Sequence, residues 1–566
     1  MTTTSDAPGP SGARRRSRLS GRNAVLVGAG IMVSRLAGLG REVLIGRTLG
    51  ARSAEADAFG AALRIPQVIQ NLLGEGALSA SFIPVYSRLL DEGDEREASR
   101  VAGAVLGLLA FLTGLLVLVA VVLARPLTAV LTFGFEGEKF DLTVALTRIM
   151  AGGIGFIVLG AWCLGVLNAH RRFFLSYVAP ALWNIVIIGA LVTGSVQGWS
   201  LGDIARAAAW GVFFGGLAQF VVQIPSVIKL VPRLRPSLNR GHPGVVEVTR
   251  RFGPAVAGRG VVTLSSYVDL LLASFLATGA VATLDRVQVL YLLPISVFAL
   301  SIAAADLPEL SRELGQSALM TRRLAIGAER VALFLVFSAV AFVFGGRLIV
   351  SALFENGEEF LRDDAIVAWV VLATYSLGLV PSGLSRLLQN ACYVVGDVSG
   401  PARIAAFRVA FAAGAGLVLM FQFDRFAVIG SDLLSVGDLP AFGPVASEAR
   451  SSGDFARLGA VGLAVGSMLG AWIELSMLQA RLRRHIGHAA PFRRALTRLL
   501  PATAAATVTM IVLGALVWSA PALLATVVAV GAAGVVFLIV ANKAGNIAAR
   551  SLLRPLRRVL WGQPLR

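Results

Sequence analysis

Charge is scarce in this 566-residue chain, and so are the residues from which catalytic and metal centres are built. Only 15% of the residues are Asp, Glu, Lys or Arg, against about 25% in a soluble domain. That depletion excludes an ordinary water-soluble globule. The two cysteines, Cys163 and Cys392, each stand inside an apolar stretch, so no disulfide framework or thiolate metal site is expected. The four histidines are scattered, with no His-Glu-x-x-His pair. No Gly-rich phosphate cradle is present either, so the chain carries no ATPase of its own. No catalytic constellation is left, and an enzyme is not expected. The basic start has no short apolar region with a small-residue cleavage site behind it, which argues against a cleaved signal peptide. A net charge of +18 would suggest nucleic acid in a soluble protein. With no soluble domain to hold it, nucleic-acid binding is excluded here.

What is present is hydrocarbon-length apolar sequence. The chain is 56% hydrophobic with mean hydropathy +0.76. Breaking it at charged and Gly/Pro clusters gives fourteen stretches, at 24–48, 57–90, 98–124, 141–169, 175–197, 203–229, 252–277, 282–311, 324–345, 364–395, 402–422, 457–480, 496–518 and 521–542. The second is too long for one span and holds Pro66, Gly74, Gly76 and Pro84, so it is expected to bend or break. Roughly thirty Lys and Arg residues gather at the N-tail, the even-numbered helix ends and the C-tail. This asymmetry places both termini in the cytoplasm, with residues 1–23 a disordered basic tail and 546–566 a second basic tail.

The chain also repeats itself at an offset of about six helices. Asp57 to Pro66 matches Asp285 to Pro294 in spacing. Phe82-Ile83-Pro84 to Arg88 resembles Asp306-Leu307-Pro308 to Arg312, and Phe133 to Phe140 resembles Phe354 to Phe360. Leu167-Asn168-Ala169 resembles Gln389-Asn390-Ala391. An even offset keeps the orientation, so the fold class is an all-α polytopic membrane protein. About fourteen transmembrane helices are expected, as two parallel six-helix lobes around a central cavity (24–230 and 247–484) plus two C-terminal helices (491–545).

Inside these stretches sit polar residues with no casual reason to be there. A guanidinium near the bilayer centre costs at least ~3 kcal/mol on the lenient insertion scale. Arg35 and Arg41 are six residues apart, which leaves them within roughly 120° on one helix face. Ala37, Gly38 and Gly40 between them leave room for a ligand or a helix. Arg64 and Glu75 flank the expected break in the second stretch, and Arg386 follows Pro381-Ser382-Gly383. Asp285-Arg286 is read as a helix-start ion pair near the outer surface. Asp269 falls at the repeat position of Arg41 and is the candidate for a coupling sodium ion or proton. Glu474 is an acid with no obvious mate.

Ser34-Arg35-Leu36 with Gly40-Arg41-Glu42, Ala56-Asp57-Ala58-Phe59, Arg64-Ile65-Pro66, Gly74-Glu75-Gly76-Ala77-Leu78-Ser79 and Phe82-Ile83-Pro84-Val85 resemble the MurJ/MviN family of lipid II flippases. That family lies within the multidrug/oligosaccharidyl-lipid/polysaccharide exporter superfamily. The resemblance covers essentially 24–545. It implies a multi-pass protein of the bacterial cytoplasmic membrane that carries lipid II to the outer leaflet by alternating access. It maps Arg35, Arg41 and Asp57 onto cavity residues and Glu75 onto the family's Glu-Gly-Ala element. Two departures stand out. Gln70-Asn71 replace consecutive basic residues, and Val289 stands where an arginine is common, with Arg286 three residues earlier as its substitute. The expected substrate site is therefore Arg35, Arg41, Asp57, Arg64, Glu75, Arg286 and Arg386. The expected partners are lipid II or a similar polyprenyl-pyrophosphate saccharide, membrane lipid and cell-envelope synthesis proteins. The alternatives are a flippase for another polyprenyl-linked oligosaccharide, a multidrug antiporter, and a non-transporting scaffold.

Overall fold

The computed structural model describes residues 30, 32–303, 306, 310, 317–397, 399–487 and 492–553. The expected tail at 1–23, residues 24–29 of the first stretch, the repeat segment 307–309 with 311–312, and residues 554–566 lie outside the described residues.

Helices account for nearly every expected stretch. In chain order they are α1 (32–49), α2 (Ala54–Leu73), α3 (Glu75–Asp91), α4 (Glu95–Val122), α5 (Ala124–Leu131), α6 (Gly137–Ala169) and α7 (Phe173–Val196). Next come α8 (Leu201–Val221), α9 (Ile224–Leu230), α10 (Pro243–Ser274) and α11 (Ala280–Pro294), which runs on through a π-helical turn, Ile295–Ala299. The remainder are α12 (Ser317–Phe344), α13 (Gly346–Phe354), α14 (Arg362–Ser376), α15 (Leu379–Val394), α16 (Ser399–Phe423), α17 (Ser447–Ser451), α18 (Gly459–Ile486), α19 (Phe492–Thr497), α20 (Leu500–Leu516) and α21 (Ala522–Lys543). Between α16 and α18 lies a small antiparallel sheet of β1 (Phe426–Ile429), β2 (Asp432–Ser435) and β3 (Ala456–Arg457), ordered β2-β1-β3. Phe426 pairs with Ser435, and Ala427 with Arg457.

Eleven helices among the described residues are long and apolar enough to cross a membrane. Three expected spans fall short: the first, the second and the seventh. They are the ones that carry Arg35 and Arg41, Arg64 and Glu75, and Asp269. Charge that makes a helix interesting also makes it a poor stretch of hydrocarbon.

The second stretch breaks at Gly74. A Cβ there would lie 2.4 Å from the Gln70 carbonyl oxygen, so only glycine fits. The repeat is visible in element lengths. α4 and α12 each have 28 residues and are each followed, one residue on, by a short helix. α6 runs unbroken for 33 residues, whereas its counterpart is cut at Leu377-Gly378 into α14 and α15. The Leu377 carbonyl freed by that cut accepts from the Trp472 indole N–H at 3.1 Å.

Packing divides the chain into two units. The first comprises the chain through Thr48, Ala61–Leu131 and Glu136–Tyr267; the second comprises Leu49–Gly60, Thr132–Phe135 and everything from Val268 on. The boundary between the units falls within α10. In the first unit α8 packs tightly on α6 and α7, with a Cβ at Gly216 landing 2.3 Å from the Gly153 oxygen. Close backbone approach of this kind is how membrane helices gain contact without a hydrophobic drive. In the second unit α20 and α21 meet along Ala502, Ala506, Ala529, Ala533 and Phe537. Residues 547–553, expected as tail, are helical, and Ala548 and Ala549 join that core.

Candidate functional site

The first unit places Arg35 and Arg41 on α1 with unequal exposure. Arg35 is exposed, whereas Arg41 is half-buried. The Arg41 Nη2 donates to the Glu42 carboxylate, and its guanidinium carbon lies 4.8 Å from the ring centroid of Trp183 on α7. Gly38 lets α7 come near, with Asn184 Nδ2 3.8 Å from where a Cβ would stand. Arg41 Nε, Trp183 Nε1 and Asn184 Oδ1 are buried polar atoms without hydrogen-bond partners in this seam. Buried polar atoms are almost always satisfied by protein or water, so these three on two adjoining helices mark a polar seam. Arg64 is half-buried on α2, and its carbonyl accepts from the Tyr267 hydroxyl at 2.8 Å. Glu75 is exposed in the first turn of α3, where a carboxylate suits the helix dipole.

In the second unit Asp57 and Arg286 are enclosed, 1% and 2% exposed. The Asp57 carboxylate accepts from the amides of Gly279 (2.9 Å) and Ala282 (2.8 Å) at the start of α11. The Arg286 Nη2 donates to the Gly50 carbonyl, and its guanidinium lies 5.7 Å from the Phe360 ring centroid. Arg52 adds an ion pair to Asp364 at 2.8 Å. These two sequence-selected residues therefore fasten segment 49–60 to α11; in this structure their polar groups face protein. Asp285, matched to Asp57 by the repeat, instead crowds Gly60. Arg286 ties α11 to segment 49–60 through the Gly50 carbonyl.

Arg386 is exposed on α15 and bonds Gln389 Oε1 at 3.2 Å. Gln389 Nε2 donates to Glu474 Oε1 and Arg408 Nη1 to Glu474 Oε2, both at 2.9 Å. Arg408 on α16 is the mate that Glu474 on α18 lacked in the sequence. It could have been found by pairing opposite charges on successive spans. Asp269 is half-buried on α10. Among the described residues no group of three or more His, Cys, Asp or Glu side chains could hold a metal ion.

Outside the spans, burial pushes the Asp424 carboxyl up to about 6, opposed by Arg457, the Ala277 amide, Arg425 and Arg450. Asp397 is held down near 2, chiefly by its hydrogen bond from Arg481.

Comparison with known proteins matches residues 45–436 to the family model for the lipid II flippase MurJ. The chain belongs to the MurJ family. The lipid II flippase MurJ of Burkholderia cenocepacia is 32% identical over 66% of this chain and 73% of its own. The probable lipid II flippase MurJ of Bdellovibrio bacteriovorus is 31% identical over 71% and 77%. Among solved structures, a MurJ in an inward closed conformation superposes with TM-score 0.71 at 20% identity, over 94% of this chain and all of that one. An inward-facing multidrug MATE transporter superposes at 0.60 and 16% identity over 83% of this chain and 99% of its own. The fold is thus that of MurJ and MATE transporters, and the chain is a predominantly helical, multi-pass membrane protein.

Proposed function

We propose that this MurJ family member carries lipid II across the cytoplasmic membrane, from the inner to the outer leaflet, with both termini in the cytoplasm. A pyrophosphate cannot cross hydrocarbon unaided, because its desolvation cost is prohibitive. Arginine suits the task, since its planar fork matches phosphate oxygens and its charge persists under burial. The observation that carries the reading is Arg41, half-buried against Trp183 in a seam of unsatisfied polar atoms. In this reading Arg41 and Arg35 receive the pyrophosphate, assisted by Arg64, and Glu75 shapes the entry beside them. Asp57 and Arg286 hold the frame through segment 49–60. The two six-helix repeats alternate between inward- and outward-open states, with no covalent step. An inside-negative potential favours outward movement of negative charge by ~2.3 kcal/mol per charge per 100 mV. Asp269 is our candidate for a sodium ion or proton that resets the carrier.

Gln70-Asn71 in place of basic residues support a second reading, a flippase for another polyprenyl-linked saccharide. A strain depleted of its lipid II flippase separates the two. Rescue by the native chain and failure by Arg41→Ala, at equal expression, is the expected result. Normal appearance of lipid II on the outer leaflet with Arg41→Ala sinks the pyrophosphate role.

A further inference from the structure

The turn between α20 and α21 carries Trp518, 52% exposed. Both helices belong to candidate spans, so this turn lies at the membrane–water boundary, at the end of the pair away from the C-terminus. An indole is at home there, but its company is unusual. The guanidinium carbons of Arg347 and Arg362 lie 4.7 and 5.9 Å from its ring centroid. Two cations share one indole. Neither forms an ion pair with a carboxylate among the described residues. Asp363, the nearest acid in sequence, is engaged by the amides of Gly430 (2.9 Å) and Ser431 (3.0 Å). Burial and the neighbouring Arg362 both hold the Arg347 pKa down, against the pull of Glu355 and Asp363. Arg347 is the second residue of α13 and Arg362 the first of α14, so two helix N-termini add positive potential.

We propose that Arg347, Arg362 and Trp518 form a binding site for the phosphate of an anionic membrane lipid. The site sits where lipid phosphates lie, and its mutual repulsion is relieved by one anion between the guanidinium forks. The indole supports the glycerol or first methylenes below. This rests on the chain being a membrane protein and not on what it carries.

The test uses the purified full-length chain and native mass spectrometry, with phosphatidylglycerol and phosphatidylcholine offered at equal concentration. The native chain is expected to retain phosphatidylglycerol preferentially. R347Q/R362Q should lower that preference roughly tenfold, and W518F should lower it less. R206Q, at an exposed arginine paired to Asp203, should leave it unchanged. Thermal melts check that each variant is folded. A polyprenyl pyrophosphate competitor identifies the source: displacement assigns the site to the carried lipid, and persistence assigns it to bulk phospholipid. An undiminished preference in folded R347Q/R362Q overturns the proposal, as does an equal loss in R206Q.

Discussion

Arg41 and Arg286 are both arginines within an apolar bundle, yet they are held in opposite ways. Arg286 is shut in, with its fork on the Gly50 carbonyl and its face toward Phe360. Arg41 is half-buried, pairs with its own neighbour Glu42, and lies beside Trp183. The difference teaches that a charged residue in a membrane sequence is ambiguous until its partners are known. An arginine enclosed and tied to a distant backbone carbonyl holds a frame; one half-exposed and paired only with its chain neighbour is the one we read as open to a passenger.

Substitutions and a pH titration break or sharpen that contrast, ranked by the size of the expected change in stability. Arg286→Ala should cost about 2–4 kcal/mol by leaving a cavity and a buried carbonyl unpaired, seen as a lower melting temperature in detergent. Glu474→Ala should cost about 2 kcal/mol by stranding Arg408, and Glu474→Gln should recover part through Gln389. Asp424 has a folded pKa of about 6 against an ordinary 3.8. The folded protein thus keeps a proton that the unfolded chain releases between these values. Stability should therefore rise by about 1–2 kcal/mol as pH falls from neutral to 4, and Asp424→Asn should flatten the curve. Asp57→Ala should cost about 1 kcal/mol, the value of a helix cap, with Asn intermediate. Arg41→Ala should shift stability by less than about 1 kcal/mol while transport is lost. A large destabilisation at Arg41 with transport intact would erase the distinction.

Much of this architecture was legible in the sequence because its signal is local. Hydrocarbon-length runs reported α4, α6 and α7 within a few residues, and Gly74 reported the break between α2 and α3 by its steric need. Residues 426–457 carry no strand signal in the sequence, since strands of two to four residues leave little periodicity to detect. The cut at Leu377-Gly378 was hidden inside one apolar run. Side-chain partners were hardest. Asp57 is held by amides at the start of α11, more than two hundred residues away in sequence. Glu474 has its mate, Arg408, on another helix. Such pairings belong to tertiary packing, and spacing along the chain does not encode them.

The cut between α14 and α15 has a mechanical consequence. The helix there is pinned from the side by one indole, with the Leu377 oxygen receiving the Trp472 N–H in place of an axial bond. A rod spliced in this way yields at the splice before it yields anywhere else. Its counterpart α6 has no such joint, so the two helices differ in where they can flex.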